Sequence, residues 1–183
     1  MRLKQNHVQY ISRKISKDLV NCNFVEIRST KDAITEQIAI IMTADIKKEL
    51  ALDDAVTNLL EDQESDIEFY KADYRQLFWM TKKRIANDYG VNLNNSERFS
   101  DIAHQLLDFL YEEDYIHFTV NDNQVKNVIS ESIENFMGGF DDADSAAYEK
   151  IKKYQRKLIP GTDDYNDIFH RLYEEELIKR GLI

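Results

Sequence analysis

The sequence predicts an all-α fold made of two tandem copies of one helical unit, and three observations lead to this prediction. Only 5 Gly and 1 Pro occur in 183 residues, so few positions break a helix. Apolar residues recur at steps of three and four, which is the period of one helix face. The sequence also aligns with itself when it is shifted by 91 positions. Its hydrophobic content of 43% suffices for a packed core.

The self-alignment joins a helix, an extended segment and a second helix in one unbroken register. The apolar segment 24–27 aligns with the apolar segment 115–118. The paired helical positions are Val8 with Phe99, Ile11 with Ile102, Ile15 with Leu106, Leu19 with Leu110, Ile34 with Val125, Ile38 with Ile129, and Met42 with Ile133. We therefore expect about four helices in each copy, a short extended segment after the first of them, and similar burial of the paired positions.

The closing helices of the two copies also end alike. The segment 73–78 precedes Lys82-Lys83-Arg84 and then Gly90, and the segment 167–173 precedes Lys179-Arg180-Gly181. Cations suit the negative end of a helix dipole, and Gly readily adopts the left-handed cap that follows it. We therefore interpret these basic residues first as helix ends.

Eight helices are predicted, and the polar segment Asn92-Leu93-Asn94-Asn95-Ser96 is the best junction between the copies. The first helical repeat takes residues 1–91, the junction 92–96, and the second repeat 97–183. We expect two compact units that pack only modestly against each other. Gly138-Gly139 is the other expected flexible point. The predicted helices are 5–21, 31–49, 53–64, 67–88, 96–113, 122–137, 143–158 and 163–180.

Charge and targeting signals restrict the compartment and the partners. The net charge of −10 argues against bulk binding to nucleic acid, which needs clustered Lys and Arg. Residues 1–94 hold 14 basic and 15 acidic side chains, whereas residues 95–183 hold 10 and 19. A lone Cys22 excludes an intramolecular disulfide framework. Because we find no signal peptide and no apolar run of about 20 residues, we expect a cytoplasmic protein with no membrane segment.

Two segments carry a family resemblance. The first is the start, MRLKQNHVQYISRKI, and the second runs from Ile159-Pro160-Gly161-Thr162 to Lys179-Arg180-Gly181. The segment 73–78 with Lys82-Lys83 looks like the matching feature of a first repeat. Together they resemble the bacterial domain-of-unknown-function 507 family. The resemblance implies a helical, duplicated architecture in a bacterial protein, and it implies no activity and no catalytic residues.

Three of the four histidines follow an aspartate by three residues, which places both side chains on one face of a helix. The pairs are Asp101/His104, Asp114/His117 and Asp167/His170. Glu-x-x-His is half of a di-metal site, but the acid here is the shorter Asp and the first copy has no equivalent. We predict surface ion pairs and no bound metal. Nucleotide-binding, P-loop, hydrolase and zinc-protease motifs are absent from the sequence, so we expect no cofactor and no catalytic residues.

The first candidate interaction site is Trp79 with Lys82 and Lys83. Trp79 falls off the core-like stripe of its helix, beside Arg75 and Lys83. It is either an exposed anchor for a partner or a cap on the junction between the copies. In the first case, a groove between the two units would hold a partner helix.

The second candidate interaction site is Lys152, Lys153 and Arg156. Basic residues interleaved with aromatic ones can bind single-stranded nucleic acid. However, Tyr148, Ile151, Tyr154 and Leu158 share one helix face, and this spacing indicates core. We favour a solvated basic face here.

We therefore predict a non-enzymatic helical interaction or adaptor protein with a protein partner. One alternative is a nucleic-acid-associated regulatory protein, which the net charge of −10 disfavours. The other is a metal-binding helical protein or an enzyme, which would depend on the Asp-x-x-His pairs.

Overall fold

The structure is a computed structural model, and it describes residues 3–62, 73–154 and 158–182. Within those residues the chain forms six α-helices and one two-stranded sheet, so the predicted helical fold class is confirmed. The elements are α1 (Val8–Val20), β1 (Val25–Ile27), α2 (Lys31–Glu61), α3 (Tyr74–Ile85), α4 (Asn95–Glu112), β2 (Ile116–Phe118), α5 (Asp122–Lys152) and α6 (Asp163–Lys179). Single 3₁₀ turns precede α1, at Gln5–His7, and follow α3, at Ala86–Tyr89.

The two long helices, α2 and α5, contain 31 residues each. The sequence predicts a pair of helices in place of each, and the predicted breaks were wrong. In α2 the buried stripe continues from Met42 and Ile46 through Glu49 and Leu52 to Val56 without a change of phase. Because the range 31–61 also contains no Gly or Pro, its backbone has no reason to leave the helix. Residues 67–72 and 155–157 of the predicted helices lie outside the described residues.

Gly138 and Gly139 lie inside α5, so the expected flexible point was wrong. A Cβ atom on Gly139 would lie 2.9 Å from Cδ1 of Leu182, whereas a Cβ atom on Gly138 would meet no atom within 4 Å. Gly139 therefore allows the C-terminal residues to approach α5 closely. The sequence suggests a hinge at this glycine pair, but one of the two glycines, Gly139, instead makes room for Leu182 beside α5.

The helix ends carry the expected chemistry. The side chain of Asn121 accepts a hydrogen bond from the Asn123 backbone N–H at 2.9 Å and caps α5, and Thr162 caps α6 in the same way. Gly90 and Gly181 have positive φ angles of 61° and 65°. This conformation confirms the prediction that these two glycines terminate their helices.

One hydrophobic core is built from both halves of the chain, with α1, α2, α4 and α5 as its main walls. Twelve of the fourteen paired positions from the self-alignment are at most 1% exposed, as predicted. They are Ile11, Ile15, Leu19, Ile34, Ile38, Met42, Ile102, Leu106, Leu110, Val125, Ile129 and Ile133. Because these residues belong to one core, the expectation of two separately packed units was wrong. The repeat boundaries at 1–91, 92–96 and 97–183 stay a prediction.

The short sheet joins the two halves directly. Strand β1 pairs antiparallel with β2, with Val25 opposite Phe118 and Ile27 opposite Ile116. Both strands follow the first helix of their half, at the two positions where the sequence predicts extended segments. Neither strand has another partner among the described residues, so each half completes the sheet of the other.

The closing helices pack on the far ends of the long helices, and α6 also contributes Leu177 to the central core. Helix α3 covers Leu52, Val56 and Leu60 of α2, and α6 covers Ala147 and Ile151 of α5. Each long helix therefore contributes its first half to the shared core and its second half to a smaller cluster of its own.

His7 is a buried histidine at the start of α1, and it is 4% exposed. Its ring centroid lies 4.4 Å from that of Phe140, and its Nδ1 accepts a hydrogen bond from the Lys4 backbone N–H at 3.2 Å. Burial, and then the positive charge of Lys4, lower the pKa of His7 from its ordinary value. The folded chain therefore holds this imidazole neutral at pH 7.

We expect His7 to make stability fall in mild acid. The unfolded chain protonates His7 below about pH 6.5, while the folded chain resists protonation until its lower pKa is reached. The free energy of unfolding should decrease from about pH 6.5 downward, and His7→Asn should reduce that slope. Urea denaturation at several pH values measures it. The control is His104→Asn, which changes a 65% exposed imidazole, and an unchanged slope in His7→Asn would contradict the assignment.

We expect the two adjacent glycines of α5 to respond differently to alanine. Gly138→Ala should stabilise the fold by about 0.5–1 kcal/mol, because Ala favours helix. Gly139→Ala should gain less, because its Cβ displaces Leu182. Denaturation of both variants, alone and with Leu182→Ala, measures the difference. A Gly139→Ala variant at least as stable as Gly138→Ala would show that no close approach exists.

Candidate functional site

The outer face of α3 is the strongest candidate interaction surface, and we define it as Arg75, Gln76, Trp79, Met80 and Lys83. These side chains, with Asp73, border a shallow groove of about 390 Å³. The spacing of three and four residues keeps them on one side of the helix. The N-cap Asp73 starts the helix by accepting a hydrogen bond from the Arg75 N–H at 2.9 Å.

Trp79 is exposed, and its role as an anchor for a partner stays a prediction. The Trp79 side chain is 51% exposed and the neighbouring Met80 60% exposed. Both belong to the residue types that are enriched at protein interfaces. The sequence analysis missed Met80. Its signal was the phase of α3, because Met80 lies on the side of the helix opposite the partly buried Phe78 and the buried Lys82.

Lys82 is buried, so its prediction as a surface contact residue was wrong. It is 4% exposed, and its Nζ lies 2.6 Å from Asp53 Oδ1 and 3.2 Å from Glu49 Oε1. The same Nζ lies 5.6 Å from the centroid of the Trp79 ring. Lys82 therefore anchors α3 to α2 beneath Trp79. Lys83, one residue further, is exposed as predicted.

A buried ion cluster extends this anchor to α4, and we define it as Asp45, Glu49, Asp53, Lys82 and Arg98. The Arg98 Nε donates to Asp45 Oδ2 at 2.9 Å, and Arg98 Nη1 donates to the same Glu49 carboxylate that binds Lys82. Burial acts to lower the pKa of Arg98, but hydrogen bonds and charges from Asp45 and Glu49 outweigh it and raise that pKa. The cluster therefore joins α2, α3 and α4 through ion pairs.

The junction between the two halves is held by side-chain hydrogen bonds. Asn92 Nδ2 donates to Glu97 at 3.1 Å and to Asp101 at 3.4 Å, and Asn94 caps α4 by accepting from the Ser96 N–H at 3.1 Å. A groove of about 460 Å³ lies here, between the end of α3 and the start of α4. Lys83 borders it but Trp79 does not, so the predicted placement of Trp79 in the junction groove was wrong.

The second predicted basic site is partly neutralised. Lys152 and Lys153 are exposed, but Lys152 Nζ pairs with Glu149 at 2.8 Å and lies 4.4 Å from the Tyr148 ring centroid. Arg156 lies outside the described residues. The prediction that Tyr148 and Tyr154 belong to the core was wrong. Both side chains are exposed. Lys152 lies over the ring of Tyr148, and the Tyr154 hydroxyl accepts a hydrogen bond from Arg171 at 2.9 Å.

Most residues of the Asp-x-x-His pairs have other partners. His104 Nε2 lies 3.6 Å from Asp108, one turn further along α4. Asp114 pairs with Arg28 at 2.7 Å, and His117 stacks on Tyr111 with ring centroids 6.1 Å apart. In the described part of the chain, no group of three or more His, Cys, Asp or Glu is arranged to hold a metal. Of the six residues in these three pairs, Asp114 forms a surface ion pair, with Arg28, and His104 lies beside Asp108 rather than Asp101.

The fold and these surfaces define a helical protein in which one helix, α3, has an exposed face of basic and apolar side chains. No helix of the described ranges is long and apolar enough to cross a membrane. The family model described as a protein of unknown function (DUF507) matches residues 1–182. The chain therefore belongs to the DUF507 family, as the resemblance of its start and tail predicted. A search of curated proteins gave no match.

We expect the buried ion cluster to contribute strongly to stability. Glu49→Gln removes the carboxylate shared by Arg98 and Lys82 and leaves buried charge uncompensated, which should cost about 3–5 kcal/mol of unfolding free energy. Urea denaturation measures the loss. The matched control is Glu26→Gln, because Glu26 is exposed and pairs with Arg28 at 3.8 Å, and it should cost no more than about 1 kcal/mol. Equal losses in both variants would contradict the role of the cluster.

Proposed function

We propose that this chain is a non-enzymatic interaction protein and that the outer face of α3 binds an acidic amphipathic helix of a partner protein. The observation that supports this best is the exposure of Trp79 and Met80 side by side on a helix that is fixed from beneath by Lys82. Large apolar side chains on a rigid support are typical anchors of helix-in-groove binding.

Charge supports an acidic partner. Arg75 and Lys83 flank the exposed apolar pair, and Arg84 extends the basic face. Within the residues that the structure describes, Asp73 is the one acidic side chain bordering the groove, and it is engaged as the N-cap. This basic surface belongs to a chain with a net charge of −10, so it would orient a partner by its local field.

A comparison within the chain supports the same surface. The closing helix of the second half, α6, presents an acidic exterior that includes Asp167, Glu174 and Glu175. Among its large apolar side chains, only Ile178 is highly exposed in the described residues. Helix α6 therefore offers little to match Trp79 and Met80, which favours a partner protein over a second copy of this chain.

We further propose that the two halves arose by duplication and that the protein acts in the bacterial cytoplasm. The order of helix, strand, 31-residue helix and closing helix occurs in both halves, and this supports a duplicated unit. On this proposal α3 and α6 are equivalent closing helices, and their outer faces diverged in charge.

The test is photo-crosslinking in the cells that make the protein. A photoreactive phenylalanine analogue placed at Met80 should give a discrete protein adduct, and mass spectrometry should locate it in an acidic helical segment. The same analogue at Tyr148, which is 48% exposed, is the control position and should not give this adduct. Combined Arg75→Glu and Lys83→Glu should remove the adduct, whereas combined Lys47→Glu and Lys48→Glu should retain it.

The contradicting outcomes are equally specific. An adduct with nucleic acid or with a second copy would overturn the proposed partner, and the absence of any adduct at Met80 would overturn the surface. Trp79→Ala should change the unfolding free energy by less than about 1 kcal/mol, because the side chain is half exposed, and should still abolish the adduct. A large loss of stability would identify Trp79 as a structural residue.

A further inference from the structure

A second groove, of about 830 Å³, lies between α1, the first turn of α2, α5 and the C-terminal residues. Its lining is strongly enriched in cations although the chain has a net charge of −10. The charged lining residues are the basic Arg13, Lys14, Lys17, Lys31 and Arg180 and the acidic Asp18 and Asp32. None of them belongs to the outer face of α3, so this groove is a separate site.

Three of the cations in this groove are available to a ligand. Lys14 is not, because it pairs with Asp18 at 2.8 Å, and Arg180 lies 3.4 Å from Glu176. Across residues 3–62, 73–154 and 158–182, no carboxylate forms an ion pair with Arg13, Lys17 or Lys31. These three cations therefore have no ion-pair partner in the described residues, and the two acidic residues that line the groove, Asp18 and Asp32, leave its lining with a net positive charge.

The position of Lys31 at the start of a helix strengthens the case for an anionic ligand. Lys31 is the first residue of α2, directly after the N-cap Thr30. A cation in the first turn of a helix is destabilised by the positive end of the helix dipole. An anion in the groove would be attracted both by Lys31 and by that dipole. Local structure alone does not favour a lysine here.

The walls of the groove limit what it can hold. Phe136 and Tyr10 supply aromatic surface, and Leu182, seated against Gly139, forms the wall on the C-terminal side. A volume of about 830 Å³ is that of a small-molecule site. On α1, the basic surface is interrupted by Asp18, which pairs with Lys14. The groove therefore lacks the long basic track that a nucleic-acid strand requires.

We propose that this groove binds a small organic phosphate. Arg13, Lys17 and Lys31 contact the phosphate oxygens, because guanidinium and ammonium groups form charge-assisted hydrogen bonds with phosphate. Tyr10 and Phe136 border the organic part of the ligand. This binding is independent of the partner surface on α3.

The experiment is calorimetric titration of the full chain with pyrophosphate and with AMP at physiological salt. Both probes should bind, and combined Lys17→Glu and Lys31→Glu should weaken binding by about tenfold or more. Combined Lys47→Glu and Lys48→Glu is the matched control, because it makes the same charge change on α2 outside the groove. Trp79→Ala should bind both probes like the wild type. Thermal melting of every variant checks folding, and the milder Lys17→Gln with Lys31→Gln replaces any variant that unfolds.

Three results would overturn the proposal. The first is no binding of either probe at physiological salt. The second is an equal loss in the Lys47 and Lys48 control, which would show that only overall charge matters. The third is stronger binding of an oligoglutamate peptide or a single-stranded oligonucleotide than of AMP, which would assign the groove to another class of ligand.

Discussion

The buried carboxylate of Glu49 is the point on which the arrangement of the helices around α3 depends. It accepts hydrogen bonds from Arg98 and Lys82, which approach it from two different helices. Burying charges is costly unless every member has its partners, so the cluster is stable only when α2, α3 and α4 are all in place. Lys82 is the one fully buried side chain of α3 in the described residues. The apolar side chains by which α3 contacts α2 are only partly buried. The orientation of its outer face, with Trp79 and Met80, therefore depends on charge pairing as well as on apolar burial.

The shared core imposes a second constraint. Helices α1 and α5 pack together although they come from opposite halves of the chain, and the two strands pair only with each other in the described residues. Neither half can bury its apolar face alone, because part of that face is covered by the other half. The far ends of α2 and α5 lie beyond the part that the other half covers. Each far end packs against a closing helix in a small cluster. Changes on the outer face of α3 therefore affect only its own small cluster, whereas α6 also contributes Leu177 to the central core.

The helix faces and strands of this fold were predictable from the sequence, whereas the lengths of the two long helices and the features that depend on distant partners were not. The helix faces through Ile11 and Ile102 and the strands after the first helices follow from periodicity alone. Periodicity also placed Trp79 off the buried stripe. The burial of Lys82 was not predictable, because its partner Glu49 is 33 residues away along the chain. Gly139 was misread as a hinge for the same reason, since the residue it accommodates is Leu182. The basic groove was missed because its cations come from α1, α2 and the C-terminal end.

The cations of this chain fall into two groups: those that form ion pairs within the fold and those that could bind a ligand. In this acidic chain a positive charge is readily neutralised, and Lys82, Arg98, Lys14 and Lys152 all have acidic partners. Those partners explain their positions without any ligand. Arg13, Lys17 and Lys31 have no such partner within the residues that the structure describes, and Lys31 stands against the dipole of its own helix. What distinguishes them from other exposed cations such as Lys47 and Lys48 is that the three line one groove of about 830 Å³. These three residues therefore carry the argument for an anionic ligand, whereas Trp79 and Met80 carry the argument for a partner protein.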